Sequence, residues 1–135
     1  MALLVDTGVL YALADRRDAW HRRVVDYLRA HRGALLAPVT VLPEVTYLLR
    51  ERIGPAAELA FVMSLAHGEI AIEDLTQRDV PRTLELMSAY ESLGFVDATV
   101  VTMAERLKLK TIATTDRRHF TAVRPAHAES FTLVP

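Results

Sequence analysis

The segment Ala2-Leu3-Leu4-Val5-Asp6-Thr7-Gly8 opens the chain and decides how the rest of it is interpreted. A short apolar run that ends in a polar residue and a glycine is typical of a buried strand that turns into a helix. Asp6 then lies at the carboxyl end of the strand, where open α/β sheets have their functional residues. Residues 110–114 repeat the pattern and lead through Thr115 to Asp116. We therefore expect two strands to bring carboxylates to one edge of a sheet.

The length and composition of the chain fit one globular domain. Its 135 residues are 51% hydrophobic, which is enough to bury a sheet between layers of helices. The formal net charge of −1 provides no basic surplus for non-specific binding to a polyanion. The absence of cysteine excludes disulfides, thiolate catalysis and cysteine zinc sites. No apolar run is long enough for a signal peptide or a membrane span. We predict a single domain over residues 1–135, located in the cytoplasm and not in a membrane.

Strand and helix patterns alternate between the two acidic strand ends. This alternation predicts an α/β fold in which a central, mainly parallel sheet lies between two helical layers, a three-layer α/β/α arrangement. Thr40 is a candidate cap for a helix that has Pro43 in its first turn. A later helix begins at Thr76 or at Asp79, and the sequence leaves these two alternatives open. The predicted strands are residues 2–5, 34–37, 70–72, 110–114 and 131–134. The predicted helices cover 9–30 with a break at 15–18, 43–54, 55–66, a segment from 76 or 79 to 94, and 97–107.

Four acidic residues fall where one crevice could hold them. Asp6 and Asp116 follow strands, whereas Glu44 and Asp97 lie in the first turns of helices. Singly, such residues typically form turns or interact with a helix dipole. Together, their like charges would raise one another's pKa values and destabilise the fold unless a cation lies among them. Oxygen ligands predict Mg²⁺ or Mn²⁺, and the lack of cysteine and of any close histidine pair disfavours zinc.

Four short motifs carry a resemblance to a known family. In chain order they are Val5-Asp6-Thr7, Pro43-Glu44-Val45, Gly94-Phe95-Val96-Asp97-Ala98 and Thr114-Thr115-Asp116-Arg117-Arg118-His119-Phe120. Over nearly its whole length the chain resembles the PIN-domain ribonucleases, and among them the small VapC toxins of prokaryotic toxin–antitoxin pairs. The resemblance implies a PIN-like domain that acts as a metal-dependent RNA endonuclease, forms a homodimer and has an antitoxin partner. It also implies metal-binding roles for Asp6, Glu44, Asp97 and Asp116, with Thr7 and Thr115 as polar neighbours.

Two positions depart from the family pattern. Many relatives carry a serine or asparagine where this chain has Gly8, so one polar contact near the metal is missing. Some relatives carry a further acid two residues after the one matching Asp116, where this chain has Arg118. The second departure speaks against a firmly held second metal.

The remaining polar and aromatic residues suggest secondary roles. Arg117 and Arg118 adjoin Asp116 and are candidates for contact with RNA, and Arg16, Arg17, Arg22 and Arg23 form either a basic rim or a solvated helix face. We interpret His21, His31, His67 and His127 as surface or packing residues. His119 is a minor candidate that the predicted ligand set does not include. Apolar helical faces predict a dimer surface around Tyr47, Leu48, Phe61 and Met63.

Two alternatives to an RNA endonuclease come from other functional classes. A receiver or phosphotransferase domain also has an aspartate after its first strand, but the second aspartate expected two residues later is Gly8 here. A noncatalytic PIN-like module that binds RNA or protein is the other alternative, and only the intact set of four acids argues against it. The general base is Asp116 or Glu44 in the catalytic interpretation, and the sequence does not choose between them.

Overall fold

The computed structural model describes residues 1–135 and contains one sheet of five parallel strands. Their order across the sheet is β3-β2-β1-β4-β5, and Leu4 at its centre is in register with Leu36 on one side and Ile112 on the other. The strands are β1 (Leu3–Val5), β2 (Leu35–Pro38), β3 (Ala71–Glu73), β4 (Thr111–Ala113) and β5 (Thr132–Val134).

Seven helices surround this sheet in the predicted three-layer α/β/α arrangement. Leu42–Arg52 and Val80–Ala89 each follow a short 3₁₀ turn, Val39–Val41 and Gln77–Asp79 respectively. None of the helices combines the length and the apolar character needed to cross a bilayer. The helices are α1 (Thr7–Ala14), α2 (His21–Ala30), α3 (Leu42–Arg52), α4 (Pro55–Ala66), α5 (Val80–Ala89), α6 (Phe95–Leu107) and α7 (Arg117–Thr121).

The strand order creates a crevice beside the first strand. The chain runs outward from β1 through β2 to β3, and it then returns to the other side of β1 to form β4 and β5. Because parallel crossovers are right-handed, this reversal places the helices of the two halves on opposite faces of the sheet. Such a reversal leaves a crevice at the carboxyl ends of the two central strands. The residues that follow β1 and β4 therefore meet there.

Helix α6 lies in the interior, and this burial fixes the position of its first turn. Residues 98–105 of this helix are all buried. Lys108 ends the helix in the left-handed conformation, with φ of 59°. Only the amino-terminal turn, which carries Asp97, reaches the surface crevice.

Several element boundaries differ from the sequence-based prediction. Helix α5 ends at Ala89 and not at Gly94, because Leu93 packs into the core from a loop and so continues the apolar pattern beyond the helix. Thr40 does not cap α3; its hydroxyl shares a hydrogen bond of 2.7 Å with the hydroxyl of Thr99. Thr76 and Asp79 form a capping box around the 3₁₀ turn that leads into α5. The two predicted helix starts are therefore both marked in the structure: Thr76 caps the 3₁₀ turn, and the α-helix begins directly after Asp79.

Candidate metal centre

Asp6 is a buried carboxylate at the end of β1. Its backbone N–H donates to the carbonyl of Ala113 at 2.9 Å, which continues the pairing of β1 with β4. Its side chain is only 5% exposed and does not cap α1, although Asp6 occupies the capping position. The Thr114 hydroxyl donates to Asp6 Oδ2 at 3.0 Å and accepts the backbone N–H of Asp116 at 3.0 Å. Thr114 thus connects the two acids that follow the central strands.

The environment of Asp6 and Asp97 favours their neutral forms. Burial raises the pKa of Asp6 to about 7, and the negative charges of Asp97 and Glu44 add to this rise. Burial also raises the pKa of Asp97, followed by the charges of Asp116 and Glu44. The charges of Asp97 and Glu44 thus act on Asp6, and those of Asp116 and Glu44 act on Asp97. A cluster of carboxylates that includes the poorly solvated Asp6 and Asp97 fits a divalent cation, because a cation offsets both the repulsion and the lost hydration.

Glu44 comes to this crevice from the first turn of α3. The Thr7 hydroxyl donates to Glu44 Oε1 at 2.7 Å and so connects the start of α1 with the start of α3. Glu44 is exposed, in contrast to Asp6. The structure thus places Thr7 beside a predicted site acid.

Asp97 and Asp116 meet at a histidine that was left outside the predicted ligand set. His119 Nδ1 lies 2.7 Å from Asp116 Oδ2 and 3.4 Å from Asp97 Oδ2. One oxygen or nitrogen atom from each of these three residues lies within 4.8 Å of the other two. Residues three apart on a helical turn are neighbours, so the spacing from Asp116 to His119 was the available sequence signal. It becomes informative only once residues 117–121 are known to be helical.

Thr115 fills space and does not bind an acid. A Cβ atom built on Gly8 would lie 2.1 Å from the Thr115 hydroxyl oxygen. The side chain of Thr115 therefore occupies the space that a serine or asparagine at position 8 would need. The role of Thr115 as a polar neighbour of the acids stays a prediction.

Arg117 and Arg118 have different environments. The guanidinium of Arg117 donates to the carbonyl of Leu133 at 3.4 Å, and its Cζ lies 5.7 Å from the ring centre of Trp20. Arg23 contacts the same ring at 4.6 Å. Arg118 is exposed and forms no ion pair. Arg118 is thus the freer of the two to contact a ligand, and RNA contact by either arginine stays a prediction.

Comparisons with known proteins identify the family to which this fold belongs. The PIN domain family model matches residues 3–124. Ribonuclease VapC26 of Mycobacterium tuberculosis is 32% identical over 135 residues, which cover 98% of this chain and 100% of that protein. The chain therefore belongs to the PIN domain family, and within that family it is VapC-like.

Solved structures share the fold at lower sequence identity. The crystal structure of VapC20 of Mycobacterium tuberculosis, described as a sarcin-ricin loop cleaving toxin, has a TM-score of 0.80 at 21% identity, covering 87% of this chain and 92% of that one. VapBC2 of Rickettsia felis, bound to a DNA fragment from its promoter, has a TM-score of 0.72 at 14% identity with full coverage of both chains. At these identities the neighbours confirm the fold.

Proposed function

We propose that this protein is a metal-dependent RNA endonuclease and the toxin of a toxin–antitoxin pair. The observation that carries the proposal is the convergence of acids from four separate segments, with raised pKa values for Asp6 and Asp97. The similarity to a ribonuclease over the whole chain supports RNA as the substrate. In this proposal residues 1–135 form one PIN-like domain. The metal-binding acids are Asp6, Glu44, Asp97 and Asp116.

The side chains around the acids have distinct tasks in the proposed reaction. Thr114 fixes Asp6 relative to Asp116, and Thr7 fixes Glu44. A bound Mg²⁺ or Mn²⁺ would supply Lewis-acid stabilisation of the scissile phosphate and a water of lowered pKa. The proton of the attacking water passes to an acid in contact with solvent, and Glu44 and Asp116 are the most exposed of the four.

The proposed partners follow from the same assignment. A toxin requires an antitoxin, and structural neighbours of this chain include VapBC toxin–antitoxin complexes. We expect the antitoxin to be a small protein encoded beside this one. We also propose a homodimer, formed through the apolar surface of α3 and α4.

The first prediction tests the acids in the reaction. Asp97→Asn removes one charge without changing the shape of the side chain, so it should lower RNA cleavage by at least about a hundredfold while the fold persists. We would incubate the purified protein with total bacterial RNA in Mg²⁺, Mn²⁺ or chelator and map the new 5′ ends by sequencing. Cleavage should require a divalent ion.

Asp26→Asn is the matched control, because it makes the same change on the exposed surface of α2. This variant should cleave as the wild type does. Equal cleavage by Asp97→Asn and wild type, or undiminished cleavage in chelator, would contradict the proposal. RNA binding without cleavage under every metal condition would instead favour the noncatalytic module.

A further inference from the structure

His119 is positioned by a short helix whose backbone is anchored in the core. Helix α7 begins directly after Asp116, and Phe120 beside His119 is completely buried. The histidine ring is about one third exposed, so one edge faces the acids while the other reaches solvent. Nδ1 is the atom that faces the acids. The ring is therefore held in place by its backbone and is not a mobile surface side chain.

The distances around Nδ1 suit a shared cation. Two ligand atoms at right angles around Mg²⁺ or a similar ion lie roughly 3 Å apart, given metal–ligand distances of about 2.1 Å. The Nδ1 distances of 2.7 Å to Asp116 and 3.4 Å to Asp97 lie on either side of that value. Small side-chain adjustments would therefore suffice for all three atoms to bind one ion. Nε2 makes no hydrogen bond within the protein and can carry the ring proton toward solvent.

We propose that His119 binds the metal through Nδ1, together with Asp97 and Asp116, and thereby gives the site a preference for Mn²⁺ over Mg²⁺. This inference rests on the proposed function of the acidic cluster as a metal centre. Imidazole nitrogen suits transition metals, whereas Mg²⁺ prefers oxygen ligands and keeps much of its water shell. An all-oxygen site would discriminate less between the two ions. The histidine thus selects the ion, and the four acids supply the negative charge.

The decisive measurement is the electron spin echo envelope modulation of Mn²⁺ bound to the full-length protein. A directly coordinated imidazole gives a nitrogen-14 coupling, and labelling only histidine with nitrogen-15 should change that coupling in the wild type. The protein has five histidines, so variants assign the signal. The coupling should vanish in His119→Asp and persist in His67→Asn, a matched control on the exposed end of α4. Because the labelling uses the wild type, the detection of a coordinated histidine does not depend on how well a variant folds.

Calorimetric titration with Mn²⁺ and with Mg²⁺ provides the second readout. His119→Asp replaces the nitrogen with an oxygen ligand, so the ratio of Mn²⁺ affinity to Mg²⁺ affinity should fall by about tenfold or more. His67→Asn should leave the ratio unchanged. Mn²⁺ binding without a histidine coupling, or with an unchanged affinity ratio in His119→Asp, would overturn the inference and leave the acidic metal centre standing. Failure of the wild type to bind either ion would overturn both this inference and the proposed function.

Discussion

Asp6 couples the site to the stability of the fold. Its pKa is about 7 in the folded protein, against an ordinary value of 3.8, because the side chain is buried. Between these values the folded state holds a proton on Asp6 that the unfolded state has released. The stabilising contribution is therefore complete below about pH 4 and is lost as the pH rises through about 7. In the metal-free protein at neutral pH, Asp6 should therefore contribute less to the free energy of unfolding than it does below about pH 4.

The corresponding prediction compares Asp6→Asn with the wild type. The asparagine cannot ionise, and its side-chain oxygen can still accept the Thr114 hydroxyl. In the metal-free protein, the variant should gain stability relative to the wild type as the pH rises from about 4 to about 8. Urea unfolding followed by circular dichroism at a series of pH values measures this difference. If the difference in the free energy of unfolding between the two proteins stays constant with pH, Asp6 ionises as a solvated carboxylate does and the prediction is wrong. The control is Asp26→Asn on the exposed surface, whose stability should parallel that of the wild type at every pH.

The four candidate acids and their neighbour Thr7 could be named from sequence, but the contacts that Thr114 makes could not. Asp6, Glu44, Asp97 and Asp116 each follow a strand or begin a helix, and those positions are visible in the apolar pattern. Their supporting contacts join segments that are distant in the chain, such as Thr114 with Asp6 across 108 residues. The close approach of Thr115 to Gly8 likewise exists only once β1 and β4 are paired. Such contacts depend on the register of the sheet, which no local pattern specifies.

An ion pair between Arg82 and Glu105 joins helices α5 and α6, and Glu105 also binds the backbone of the segment after α7. Glu105 on α6 is 9% exposed and accepts two hydrogen bonds from the Arg82 guanidinium, at 2.7 and 2.9 Å, and one from the backbone N–H of Ala126. Arg82 also binds Glu85, whose side chain is 68% exposed. The same arginine thus has a buried partner and a solvated one. Glu105 should contribute more to stability than Glu85, because it accepts hydrogen bonds from three donors, two on Arg82 and one on Ala126.

Alanine substitutions at Glu105 and Glu85 should show how much the buried and the exposed ion pair each contribute to the free energy of unfolding. Glu105→Ala should reduce the free energy of unfolding by about 2 kcal/mol or more, because it removes the acceptor of two Arg82 N–H groups and of the Ala126 N–H. Glu85→Ala should cost no more than about 0.5 kcal/mol, as is usual for an exposed pair. Urea unfolding at neutral pH measures both values. Similar losses for the two variants would mean that the buried pair has no special structural role.

The order and type of the elements were predictable apart from the short helix α7, which was not predicted, and the other errors fall at element ends. Alternating apolar runs were enough to predict five strands and the parallel α/β arrangement. Apolar spacing failed for α5, because Leu84 and Met87 are exposed while Leu93 packs from a loop. Thr40 matched a capping pattern, but a hydrogen bond to Thr99 on α6 took the hydroxyl instead. In both cases tertiary packing overrode a local preference.

The whole molecule exposes an apolar surface that a second copy could cover. Leu59, Val62 and Met63 lie on one side of α4 and are all exposed, and Tyr47 on α3 is 63% exposed. The Arg50–Glu58 ion pair joins the two helices between these residues. The predicted dimer surface needs one correction, since Phe61 is buried in the core and Leu48 is half-buried. Leu59 and Val62 take their place.

The final prediction uses charge to test that surface. In a symmetric dimer each residue near the axis meets its own counterpart or a close neighbour, so Met63→Glu places two like charges in an apolar contact. At micromolar concentration the variant should be monomeric and the wild type should be dimeric, as measured by size-exclusion chromatography with light scattering. Leu84→Glu is the control, because Leu84 is 65% exposed on α5, outside the proposed surface. A dimer that survives Met63→Glu but dissociates in Leu84→Glu would move the interface to α5, and a wild type that is monomeric throughout would remove the homodimer from the proposed function.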